Sequence, residues 1–436
     1  MVDKIRSLLE SNPEIHAWKL VHKYTRSDQL YLSFNDREAE RCSHTASTQV
    51  TLFTRHRNTK GQYLQGSTFF EVPENDSRLE QRIDNAIARS RLQNNEPYDL
   101  TPSGLTYPEF NDADSEICQN PEKVLKQLET RLHDRAASYA KLSIPSSEFF
   151  LTYEKQRFLN SNGIDVDAER TKILWDIVLL YRLNGEESEF WNIFSRQGLS
   201  YFHLESDFED FVTYAEDATH TAIPKSGKCP VIITGDALHI LFQYFIFHSA
   251  ASSRYNNAAL FKPGAPVLKN APAGDPLTMF SNPQHPGGSA SYRFDGDALP
   301  GKRIPIIENG VLRQYWATKQ YADYLGIEPT GDFGNIEISS GSTPWNDLIK
   351  ATDRVILVVQ FSTFDPQPIA GDFMGEIRVG YEYRANGEVI PLRGGSISGN
   401  VAVSMENCRF SKEMATFDHY YGPRGVRFES IQVAGE

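Results

Sequence analysis

The feature that most constrains this 436-residue chain is the uneven placement of its glycines and prolines. Residues 1–225 hold 6 of the 29 glycines and residues 226–436 hold 23, while the 23 prolines split 8 to 15. Gly supplies the positive φ angles of tight turns and Pro presets φ for others, so the second part predicts many turns and short strands. The Gly-poor, charged first part allows long helices. The change falls near Lys225-Ser226-Gly227-Lys228. It separates an N-terminal α+β region, 1–225, from a β-rich C-terminal domain, 226–436. The first region has room for two subdomains, 1–115 and 116–225. The expected fold class is α+β.

Charge follows the same division. The chain carries 44 basic and 57 acidic side chains, net −13, and −10 of this lies in residues 1–225. Phosphate binding needs a basic surface, so the balance argues against direct nucleic-acid binding. A charged fraction of 23% with 12% aromatics excludes a largely disordered polymer. Cys42, Cys118, Cys229 and Cys408 are far apart and form no CxxC pair, which suits a reducing cytoplasm better than a thiolate metal site. The N-terminus has no apolar signal segment, and Ala237–Phe247 is shorter than the roughly 20 residues that span a bilayer, so no membrane partner is expected.

Periodicity places the elements. Leu79, Ile83 and Ile87 are spaced for one helix, and Val124, Leu125, Leu128 and Leu132 for another that opens at Asn120-Pro121. Asp207 to Thr219 predicts an acidic amphipathic helix with Phe208, Phe211 and Ala215 on one side. Gln29–Phe34 and Thr48–Phe53 read as strands, and Glu148–Phe158 and Lys172–Leu183 as a pair around Asn160-Ser161-Asn162-Gly163. In the second part, Cys229–Ile233 reads as a buried strand. Ala237 to Ala251 reads as a buried helix carrying Leu238, Leu241, Phe242, Phe245, Ile246 and Phe247. Strand-like runs follow to the C-terminus and make an antiparallel domain around that helix.

Several familiar chemistries lack their residues. There is no GxGxxG after a strand, no GxxxxGK[ST] loop and no HExxH. His239 and His248 are nine residues apart on the apolar helix and cannot chelate one metal from it alone. Cys408 has no identified base beside it.

The order of several short motifs carries a resemblance. Tyr292 to Pro300 with Ile307-Glu308-Asn309-Gly310-Val311-Leu312, then Gly371-Asp372-Phe373, Asn386-Gly387-Glu388 and Ser398-Gly399-Asn400, together resemble the TldD/PmbA family, historically labelled a modulator of DNA gyrase. Leu159-Asn160-Ser161-Asn162-Gly163 is similar to that family's Asn-Ser-x-Gly hairpin. The family has two kinds of subunit. One carries His-Glu-x-x-x-His, which binds a metal and activates water for peptide hydrolysis. The other, PmbA- or TldE-like, lacks it. Laid on this sequence, the motif puts Gln243 and Tyr244 where His and Glu stand, and leaves His248 at the second His.

The resemblance therefore implies a cytoplasmic, non-catalytic subunit with no cofactor of its own. Its partner would be a TldD-like zinc protease subunit or a second copy of this chain, and the substrate an unfolded peptide. His248 is the single metal-ligand candidate that survives. Two other readings stay open: a homodimeric hydrolase that uses His248, His239 or Cys408 with groups from elsewhere, and a binding or scaffold module.

Overall fold

The computed structural model describes the chain except residues 35, 74–75 and 110–112. Its N-terminal half is built on one six-stranded antiparallel sheet. The strands are β1 (Ala17–Ser33), β2 (Asp36–Arg57), β3 (Tyr63–Val72), β4 (Leu142–Asn160), β5 (Asp165–Leu183) and β6 (Glu186–Arg196), in the order β3-β2-β1-β4-β5-β6. The Gly-poor half thus makes long strands as well as helices of up to 16 residues. At about 3.3 Å per residue, the 22 residues of β2 reach about 70 Å. Residues Ile173, Trp175, Ile177 and Leu179 alternate inward along β5, so one face of the sheet is apolar and needs a cover.

Helices supply that cover at both ends. α1 (Val2–Ser11) and α2 (Leu79–Ser90) place Ile5, Leu9, Ile83 and Ile87 on Trp18, Leu20, Val50 and Leu52. A single-turn helix, α3 (Ser115–Gln119), leads into α4 (Pro121–Ala136), which buries Val124, Leu125, Leu128 and Leu132 as its spacing predicts. α5 (Leu204–Asp217) sets Phe208 and Phe211 among Trp175, Phe190 and Phe194. The hairpin between β4 and β5 turns on Asn160, whose Oδ1 accepts from the N–H groups of Asn162 and Ile164, and on Gly163 at φ +85°.

The C-terminal half contains two sheets. Its strands are β7 (Gly227–Thr234), β8 (Met279–Asn282), β9 (Ile304–Glu308), β10 (Val311–Leu312), β11 (Asn335–Ile338), β12 (Arg354–Phe364), β13 (Asp372–Arg384), β14 (Val389–Leu392), β15 (Ser396–Asn400), β16 (Cys408–Phe410), β17 (Met414–Phe417), β18 (Tyr420–Pro423) and β19 (Gly425–Ala434). One sheet runs β10-β9-β8-β11-β18-β17, and the other β12-β7-β19-β15-β13-β14. Because β12 also pairs with β13, the path β12-β7-β19-β15-β13 closes on itself as a small barrel. Pairing is mostly antiparallel, with parallel contacts at β7–β12 and β11–β18. The fold as a whole is α+β.

The apolar helix lies in the core between these sheets, but it is not one rod. It breaks into α6 (Ala237–Leu241), α7 (Gln243–His248) and α8 (Ala251–Tyr255). The second break has a visible cause. Ala250 leaves the helical region at ψ 135° and forms a bridge with Trp316, whose indole Nε1–H donates to Ile246 O at 2.9 Å. Leu238, Leu241, Phe242 and Phe245 are fully buried around these breaks.

Candidate functional site

Two neighbourhoods hold the chemistry-bearing residues: the short helix α7 and the junction ahead of α6. On α7, Gln243 is half-buried, Tyr244 is buried and His248 has no exposed surface. His248 Nε2 lies 2.9 Å from the carbonyl oxygen of Ile369, and the Leu260 N–H donates to Nδ1 at 3.2 Å. An amide N–H can only donate, so Nδ1 accepts and Nε2 carries the proton. Burial pushes the His248 imidazole below its usual range, against the carbonyls of Ile369 and Ala258. It is a neutral ring with both nitrogens committed to the backbone. A metal ligand needs a free nitrogen lone pair, and this ring offers none as it stands.

The neighbouring residues reinforce the seal. The Tyr244 ring sits 4.6 Å from the His248 ring and 5.8 Å from Phe261, and burial pushes its phenol above the usual value, so it is no base at neutral pH. A Cβ on Gly371 would meet the Tyr244 ring at 3.1 Å, and Gly371 has φ +78°. Only a glycine fits this approach without strain. The motif residues on either side lock the turn: Asn400 Nδ2 donates to Ala370 O at 3.0 Å and to Asp372 Oδ1 at 2.9 Å. The structure thus brings together the degenerate helix motif, Gly371-Asp372 and Asn400, and their joint work is packing.

Cys408 is also inert. It is fully buried in β16, its Sγ lies 3.7 Å from Asp275 O, and burial and Asp275 push its thiol up to about 12. Asp295, in the Tyr292–Pro300 motif, accepts from the N–H groups of Asp297, Leu299 and Asp332. Burial and the nearby Asp332 and Asp297 still push it up to about 7. Lys19 of β1 reaches Asp297 at 2.7 Å and ties this loop to the N-terminal sheet. Among the described residues, no three His, Cys, Asp or Glu side chains are grouped to hold a metal ion.

The junction ahead of α6 was not singled out by the sequence. There β7 ends, Gly235 turns at φ +70°, and Asp236 and His239 follow. The His239 ring lies 4.3 Å from that of His419, in the turn between β17 and β18. Burial and His419 depress His239 to about 4, so its ring is neutral. Burial pushes Asp418 up, but hydrogen bonds from His419, Ser289 and Ser195 outweigh it and hold the carboxyl well below the usual range. Among the described residues, Asp236 has no such donors. It occupies the N-cap position of α6 yet caps nothing, and burial and Asp418 push it up to about 6 against Arg196 and His419. One signal was readable: an Asp just after Gly235 and before an apolar helix is the residue type expected to cap.

Asp236 faces a cleft of about 470 Å³ between the two halves of the molecule. β6 and α5 form one wall, and the start of α6 with β12 and Phe417 forms the other. Aromatic side chains, Trp191, Phe194, Phe361 and Phe364 among them, share the lining with aliphatic residues and with Asp207, Asp210 and Arg196 at polar points.

Comparison with known proteins gives this geometry a lineage. Residues 226–435 match the PmbA/TldA metallopeptidase C-terminal domain. This domain belongs to the PmbA/TldD family. The chain is 24% identical over 318 residues to a zinc metalloprotease TldD homolog of Saccharolobus solfataricus, covering 67% of each protein. It is 27% identical over 180 residues to the metalloprotease PmbA of Escherichia coli O157:H7, covering 40% of this chain and 38% of that one. Its fold is similar to TldE from Thermococcus kodakarensis over the full length of both chains, with a TM-score of 0.82 at 19% identity. Within the family domain, the helix α7 carries Gln243 and Tyr244 where the resemblance places a metal ligand and a base.

Proposed function

We propose that this chain is the PmbA/TldE-like, non-catalytic subunit of a TldD-type metalloprotease that acts on unfolded peptides. One observation carries the reading: His248, the last candidate ligand of the degenerate motif, has both ring nitrogens bonded to backbone and no exposed surface. Zinc does not fit a neutral, buried ring held this way beside Tyr244. The water-activating chemistry then belongs to a TldD-like partner, and this chain supplies structure and one wall of the shared chamber. No helix among the described residues is long and apolar enough to cross a membrane. The four free cysteines support a cytoplasmic location for the complex.

The test is metal analysis with native mass measurement after co-expression with a TldD-like protein. A heteromeric complex whose zinc follows the partner supports the proposal. A stoichiometric metal on this chain purified alone, lost in H248A, refutes it.

A further inference from the structure

The cleft ahead of α6 is built like a ligand site and has no role in the reading above. Its volume of about 470 Å³ lies in the range of small-molecule pockets, and aromatic rings from β6, α5 and β12 line both walls. Three carboxylates line it, on Asp207, Asp210 and Asp236, against one guanidinium, on Arg196. That guanidinium is already engaged. It donates to Ser195 O at 2.9 Å and to Thr416 O at 3.4 Å, and it stacks over Phe194 at 4.8 Å. Burial pushes both the Asp207 and Asp210 carboxyls up, against Arg196 and His203 for the first and Arg424 for the second. Asp207 and Asp236 are half-buried and Asp210 lies exposed at the rim, so the recess is net-negative and partly shielded from water, which favours a cation.

One side chain bridges the two walls. Gln360 Nε2 donates to Trp191 O at 2.9 Å, which fixes the amide orientation. Ionised carboxylates accept only, so the complementary ligand is a donor with positive charge.

We propose that this cleft binds an organic ammonium with an apolar body, its cation facing Asp236, Asp207 and Asp210 and its hydrocarbon lying against Trp191, Phe361 and Phe364. Two sources share this chemistry: a free aralkyl amine and the N-terminal residue of an apolar peptide. The inference does not depend on the proposed protease partnership, because the chain is tested alone.

The test is calorimetric titration of the purified full chain with phenethylammonium chloride and with 2-phenylethanol, its neutral counterpart. The amine should bind at least about tenfold more tightly than the alcohol. D236N should weaken amine binding about tenfold while leaving the alcohol unchanged. If D236N does not fold, W191A at the half-exposed rim should weaken both probes instead. Phenylalanyl-leucine amide that competes, when its N-acetyl form does not, assigns the site to peptide N-termini; amine binding without that competition assigns it to free amines. Equal binding of amine and alcohol overturns the proposal. So does absence of binding up to about 10 mM, or wild-type affinity in both D236N and D210N.

Discussion

His248 and Ile369 are joined across 2.9 Å, imidazole Nε2–H to main-chain carbonyl, although 121 residues separate them in sequence. With the Leu260 N–H on Nδ1, this contact turns the surviving histidine of a metal motif into a structural tie between α7 and the turn before β13. H248A should therefore act on stability. It deletes a fully buried ring and orphans a donor and an acceptor, which predicts a loss of about 2–4 kcal/mol in denaturant unfolding. Zinc content should be the same before and after the substitution.

Gly371 tests the same seal from the other side. Its φ of +78° and the Tyr244 ring 3.1 Å from any added Cβ predict that G371A costs about 1–3 kcal/mol. Thermal unfolding measures it. A wild-type melting temperature in G371A would show that the turn relaxes freely away from α7.

Asp236 predicts a pH dependence of unusual sign. Its folded-state value is raised to about 6, above the unfolded value of about 3.9. The native state then holds the proton more tightly, so the stabilisation is full below the unfolded value and is lost as pH rises through about 6. The groups facing it are Asp418, His419, His239 and Arg196. Asp295, raised to about 7, adds to the same slope, so the comparison must be between variant and parent. D236N should raise the melting temperature at pH 8 relative to the parent and give no gain at pH 4. A gain independent of pH would contradict this assignment.

The thiols should separate cleanly. Cys42 is exposed, whereas Cys229 and Cys408 are buried. Thiol titration of the native chain with an aromatic disulfide reagent should label Cys42 early. Cys408, pushed up to about 12, should stay unlabelled until unfolding. Mass mapping of the labelled peptides checks both.

These elements were legible in the sequence to different degrees, for physical reasons. Val124, Leu125, Leu128 and Leu132 face the sheet as their spacing predicts, because α4 has one covered side and one wet side. The middle of β1, Val21 to Ser27, is only half-buried on both faces, so it lacks the alternation that marks a strand. Gln29–Phe34 and Thr48–Phe53 therefore cover only part of β1 and β2. The break at Ala250 depends on its bridge to Trp316, a tertiary contact that an apolar run does not encode.

The site divides in the same way. The degenerate motif, Gln243, Tyr244 and His248, was readable as local sequence, and the structure supplied the partners that seal it. The cleft was not readable, since its walls come from β6, α5, the start of α6, β12 and Phe417. The acidic excess of residues 1–225 is shared between helices and sheet. Glu205, Asp207, Glu209, Asp210, Glu216 and Asp217 lie on α5, as the amphipathic reading of that segment expects, while Glu148, Glu154, Asp165, Asp167, Glu169 and Asp176 lie on the long strands β4 and β5, where Glu169 and Asp165 pair with Lys155 and Arg157 of β4.

The central claim is that this chain contributes no catalytic centre of its own. The most direct measurement is hydrolysis of an unfolded peptide by this chain alone, by a TldD-like partner alone, and by the two co-purified. The account predicts that the two co-purify, that this chain alone is inactive, and that activity of the pair disappears when the partner's metal site is mutated. Hydrolysis by this chain alone, or activity of the pair that survives loss of the partner's metal site, would contradict it.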